Sequence, residues 1–98
     1  MEGAGNMKYL PVYSSRIKKQ LKVTQKRGYD MQLFKNVVSK LANGDKLESR
    51  YSDHPLHGNW EGFRECHILP DWLLVYKIDG NKLILYLERT STHSDLSF

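Results

Sequence analysis

The run Leu73-Leu74-Val75-Tyr76-Lys77-Ile78 is apolar at odd and even positions alike, with Lys77 the sole exception. Successive side chains of a strand face opposite sides of a sheet, so this run suits only a strand covered on both faces. Turn residues bracket it, Pro70-Asp71 before and Asp79-Gly80-Asn81 after. Gly62 to Ile68 precedes it and alternates; Leu83 to Arg89 follows it and alternates less cleanly. The second half of the chain is therefore committed to three strands, with Leu73 to Ile78 in the centre of the sheet.

The first half reads differently. Lys8 to Tyr13 is a short strand candidate in which Pro11 suits an edge or a strand end. Ser14 and Ser15 can cap a helix from Arg16 to Arg27, ended by Gly28. Its apolar positions are few (Ile17, Leu21, and Val23 or Thr24), and Arg16, Lys18, Lys19, Lys22, Lys26 and Arg27 make the rest cationic. Asp30 can cap a second helix through Asn43, closed by Gly44, in which Met31, Phe34, Val37, Val38 and Leu41 form one apolar stripe. Asp45 to Asn59 is polar and turn-rich and reads as a loop. The order β-α-α-β-β-β predicts an α+β fold, a helical hairpin packed on one face of a mostly antiparallel sheet, with a short helix or loop after Thr92.

At 98 residues the chain is expected to form one domain, residues 7–98. Met1 to Asn6 lacks an apolar signal core and reads as a leader or loose extension. Lys and Arg number 15 against 11 Asp and Glu, a net charge of +4 that favours an acidic partner such as nucleic acid or an acidic protein. The single cysteine, Cys66, cannot form an internal disulfide and sits within a strand as a small hydrophobe, consistent with a reducing, cytoplasmic setting. No apolar run approaches the ~18 residues that suggest a membrane span.

All four histidines fall in the C-terminal half, His54, His57, His67 and His93, together with Asp71-Trp72, Arg64 and Arg89. Imidazole exchanges protons near neutrality, so several beside cations point to acid–base chemistry on an anion. On the first late strand Phe63, Glu65 and His67 share one face and Arg64, Cys66 and Ile68 the other, and neither face is cleanly apolar. His67 precedes a tight turn while Asp71 and Trp72 open the next strand, which brings the three to one sheet end. His54 comes from the long loop and His93 from just beyond the last strand. Plainer readings stand beside these: His54 and His57 as solvated loop residues, His67 as a structural histidine, Asp71 as a turn residue, His93 as a tail residue and Trp72 as core. A zinc site is not expected. His54-x-x-His57 is an isolated pair, Cys66 and His67 point to opposite faces, and no paired Cys-x-x-Cys spacing occurs. No Gly-rich phosphate loop or Gly-x-Ser-x-Gly elbow is present either, and no cofactor is expected.

Taken together, Asp53-His54-Pro55-Leu56-x-Gly58-x-Trp60, Arg64-x-x-His67-x-x-Pro70-Asp71-Trp72-x-Leu74-x-Tyr76 and Arg89-x-x-x-His93-x-x-Leu96 resemble the YafQ branch of the RelE/ParE toxin superfamily, over essentially Met7 to Phe98. The resemblance implies a RelE-like fold and a bacterial type II toxin. Such a toxin cleaves mRNA in the ribosomal A site without a metal and is neutralised by a cognate antitoxin. By motif position it implies a catalytic set of His54, His67, Asp71 and His93, flanked by Trp72 and Arg89. The branch commonly carries an aromatic four residues after the last histidine; here that position is Ser97, and Phe98 follows it.

The residue types suit attack of an RNA 2′-hydroxyl on its own phosphate, which needs a base, an acid and positive charge around the phosphorane. His93 is the acid candidate and Asp71 or His67 the base, with Asp71 alternatively only orienting a histidine; His54 completes the set. Arg89 and Arg64 would stabilise charge, and Trp72 or Phe98 would stack a base. Two other classes stay open: a ParE-like gyrase poison and a non-catalytic RNA-binding module. Neither has use for a proton-transferring histidine set.

Overall fold

A computed structural model describes residues 7–92. The leader reading of residues 1–6, the roles of His93 and Phe98, and the tail after Thr92 lie outside the described residues. Within them the chain forms β1 (Leu10–Tyr13), α1 (Ser15–Lys26), α2 (Met31–Ala42), β2 (His54–Pro55), β3 (Arg64–Leu69), β4 (Trp72–Asp79) and β5 (Ile84–Thr92).

The strand apolar on both parities is central: the sheet order is β1-β5-β4-β3-β2, with β4 in the middle. β2, β3, β4 and β5 pair antiparallel in succession, and β1 runs parallel to β5. β1 covers only Ile84 to Leu87 of β5. The chain then turns into α1, which takes over the remaining edge. Ser14 N donates to Leu87 O, the Ser14 hydroxyl donates to Glu88 O at 2.6 Å, and Thr90 N donates to the Gln20 side chain at 2.8 Å.

Both helix starts follow from their caps. Ser14 Oγ accepts from Ile17 N at 3.0 Å and Asp30 Oδ1 from Gln32 N at 2.9 Å. α1 ends at Gly28, whose φ of +89° only glycine adopts without strain. The helices cover one face of the sheet. Phe34, Val37, Val38, Leu41 and Ala42 of α2 and Ile17 of α1 pack with Cys66, Ile68, Trp72, Leu74, Tyr76, Leu85 and Leu87. Burial pushes the Cys66 thiol from its ordinary 9.0 up to about 12, as befits a small core hydrophobe.

Three features depart from the sequence expectation. The segment read as a loop, Asp45 to Asn59, holds two single 3-10 turns (Ser49–Tyr51 and Gly58–Trp60) and the two-residue β2, and it buries Leu47 and Tyr51. Two isolated apolar residues have no periodicity to read. The uneven alternation of the last strand is a β-bulge: Arg89 lies opposite Val75 but Leu87 lies opposite Tyr76, so Glu88 is an extra residue. The bulge reverses which parity points inward. Leu85 and Leu87 are buried before it, Thr90 and Thr92 after it, and Arg89 is delivered to the face the helices leave free. The strand also runs on to Thr92 rather than ending at Arg89.

Candidate active site on the helix-free sheet face

Strand register assembles this face. His54 pairs with Glu65, Glu65 with Val75 and Val75 with Arg89, forming one row across four strands. The adjoining row, nearer the β3–β4 turn, is His67, Leu73 and Ser91. On the other side lie Lys77 and Tyr86, beside Phe63. Three residues expected to act together, His54, His67 and Arg89, thus share one surface.

Each is held by a specific partner. His54 Nδ1 lies 2.8 Å from Ser52 O, and its Nε2 lies 3.2 Å from Glu65 Oε1. Both neighbours are acceptors, so a doubly protonated ring can donate to both. His67 Nδ1 faces Pro70 O at 3.3 Å. A carbonyl only accepts, so Nδ1 is the donor in this contact, and in the neutral ring Nε2 presents a lone pair. The Arg89 guanidinium stacks over the Trp60 ring at 5.6 Å, and Trp60 meets Phe63 edge-on at 5.3 Å. Burial, and then the Arg16 guanidinium nearby, pull the Arg89 pKa below its usual value, partly opposed by Glu88. A desolvated cation flanked by a second cation is a good receptor for an anion. The face continues into a shallow cavity of about 330 Å³ lined by Phe63, Lys77, Lys82 and Tyr86 together with Asp79 and Glu88.

The other expected residues are placed differently. Arg64 is on the helix side of β3, opposite Tyr76, and its Nε donates to Asp53 Oδ1 at 3.3 Å. The Tyr76 hydroxyl donates to the same oxygen at 2.8 Å. Burial alone would lower the Arg64 pKa, but Asp53 and Tyr76 more than offset it and hold the guanidinium charged. Arg64 therefore braces β2 against the core and does not join the histidines. Trp72 is wholly buried, its indole Nε1 donating to Thr90 Oγ1 at 2.8 Å and its ring stacked on Phe34. It offers no face on which an RNA base could stack. Asp71 accepts from the Tyr29 hydroxyl at 2.7 Å. His57 is exposed beside Glu61 at 3.8 Å, as a loop residue would be.

The sequence reading did not single out Glu65 as the partner of His54, nor Trp60 as the platform under Arg89. The shared parity of Glu65 and His67 was the available signal for the first; the second was marked only as a motif position, with nothing to show that Arg89 lies over it. Among the described residues no group of three or more His, Cys, Asp or Glu side chains is placed to hold a metal. No helix among them is long and apolar enough to cross a membrane.

A family model described as the bacterial toxin YafQ of type II toxin–antitoxin systems matches residues 9–98. The chain belongs to the YafQ family. It is 42% identical over 85 residues to the mRNA interferase toxin YafQ of Escherichia coli K12, covering 86% of this chain and 90% of that protein. The crystal structure of the E. coli DinJ–YafQ complex superposes with a TM-score of 0.81 at 38% identity, over 92% of this chain and 99% of that one. A metal-bound toxin from Helicobacter pylori matches with a TM-score of 0.83 at 42% identity, over 90% and 98% of the two chains. The two-helix, five-stranded α+β architecture is thus that of YafQ toxins.

Proposed function

We propose that this YafQ-family toxin cleaves mRNA in the ribosomal A site by metal-free acid–base chemistry on the helix-free sheet face. The observation that carries this reading is the alignment of His54, Glu65 and Arg89 in one row with His67 beside it. It agrees with the mRNA interferase activity named for the E. coli relative.

The roles follow from what each ring nitrogen faces. His67, with Nδ1 directed at Pro70 O, takes the 2′-hydroxyl proton on Nε2. His54, held between Ser52 O and Glu65, completes the set facing the phosphorane. Arg89, oriented on Trp60, supplies positive charge to it. His93, two residues beyond Ser91, protonates the leaving 5′-oxygen, and the product is a 2′,3′-cyclic phosphate. Asp71 orients the β3–β4 turn rather than acting as the base, and Phe98 is available to stack a base. The protein works in the cytoplasm, where mRNA and ribosomes are.

The basic α1 lies along β5, next to Arg89, and is proposed to meet ribosomal RNA. Reversing Lys18, Lys19 and Lys22 to Glu is expected to weaken ribosome association at least tenfold at moderate salt and to flatten its salt dependence. Three phosphate contacts alone are worth about that much. Association unchanged at low and moderate salt would reduce this helix to a solvated surface. A cognate antitoxin, as DinJ is for the E. coli relative, is proposed to fold an acidic or amphipathic segment over this basic helix and the β1 edge. Leu10, Val12 and Leu83 are exposed there.

The deciding experiment incubates the purified protein with programmed ribosomes, with free mRNA, and with both in a chelator selective for transition metals, which leaves the ribosomes their Mg²⁺. Cleavage is expected within the A-site codon, only with ribosomes, at a rate the chelator leaves unchanged. Loss of cutting in chelator would overturn the metal-free reading, and equal cutting of free mRNA the ribosome-dependent one.

A further inference from the structure

Asp71 is in the turn between β3 and β4, and its bond partner comes from far along the chain. Tyr29, in the connection between α1 and α2, donates its hydroxyl to Asp71 Oδ2 at 2.7 Å and packs edge-on against Trp72 at 5.3 Å and 72°. Two residues earlier, Arg27 donates to Thr92 Oγ1 at 2.9 Å. The helix connection is thus fastened to the sheet end at two points, the β3–β4 turn and the end of β5. The same turn carries Pro70, whose carbonyl orients the His67 ring.

We infer that Tyr29 is a positioning residue for RNA cleavage: through its hydrogen bond to Asp71 it fixes the turn whose Pro70 carbonyl holds His67 in its reactive orientation. This rests on the assignment of His67 as the base. The bond to Asp71 raises the Tyr29 pKa, with burial adding to the effect, so the phenol stays a donor at any pH at which ribosomes work. Asp71, held by that bond, braces the site from the helix side. That accounts for a carboxylate at this position without asking it to touch RNA.

Tyr29→Phe removes only the hydroxyl and keeps the ring against Trp72. Single-turnover cleavage at saturating ribosomes is expected to fall about ten- to a hundredfold, the usual effect of a misplaced reacting group. The ribosome concentration for half-maximal rate and the thermal midpoint should stay near wild type. In an Asp71→Ala background Tyr29→Phe should add less than twofold, whereas with His54→Gln its effect should multiply. A Tyr29→Phe protein that cleaves at the wild-type rate, or whose loss multiplies with that of Asp71→Ala, overturns the inference. A fully active His67→Gln protein overturns the base assignment and this inference with it. An inactive His67→Gln protein beside a fully active Tyr29→Phe protein overturns this inference alone.

Discussion

His67→Gln is expected to slow mRNA cleavage by about 10²–10⁴-fold, the usual contribution of a positioned general base. Glutamine can still donate to Pro70 O but has no lone pair basic enough to take the 2′-hydroxyl proton. His67 is only part-buried on the helix-free face, so neither folding nor antitoxin binding should change. Single-turnover cutting on programmed ribosomes, with circular dichroism and antitoxin titration as controls, reads the effect. His93→Gln should lose a similar factor at the acid. The two losses combined should fall short of their product, because one transition state uses both. A His67→Gln protein within threefold of wild type would move the base elsewhere.

Trp72→Ala is expected to cost about 3–5 kcal/mol of folding stability. The side chain is wholly buried between Phe34, 6.4 Å away and nearly parallel at 17°, and Tyr29, edge-on at 5.3 Å. Its loss leaves a cavity and removes the indole's bond to the Thr90 hydroxyl, which keeps its own bond to Leu73 O. A domain of this size has only about 5–15 kcal/mol in hand, so urea unfolding should show a large fall in midpoint. Trp72→Phe separates packing from chemistry. It should recover much of the stability and leave the cleavage rate of the folded protein near wild type. A Trp72→Phe protein of normal stability and abolished cleavage would restore Trp72 to the reaction.

The central strand was legible because Leu73 to Ile78 is apolar on both parities, which only an interior strand tolerates. The helices were legible from Ser14, Asp30 and the glycines after them. The face of β3 was not, because Arg64 shares a side with Cys66 and Ile68. Burial of its stem and its bond to Asp53 make Arg64 compatible with the covered side, and no pattern of polarity reveals such a pair. His54 was recognisable as a candidate, but a two-residue strand containing Pro55 carries no periodicity, so its pairing with Glu65 was hidden. Tyr29 and Asp71 are separated by 42 residues, and only the packing of the helix connection on the sheet end brings them together. Trp72 shows the converse limit: a motif position implied contact with RNA, and three-dimensional packing gives the ring to the core.

The bulge at Glu88 makes β5 a strand with two phases. Ahead of it the odd-numbered residues belong to the interior; behind it the even-numbered ones do. Run through that point in regular alternation, without the bulge, the same residues would keep a single phase. Arg89 would then face inward beside Leu87, and Thr90 outward among the histidines, although every side chain kept its identity. The cation at the reaction face is therefore specified by a count as much as by a residue type.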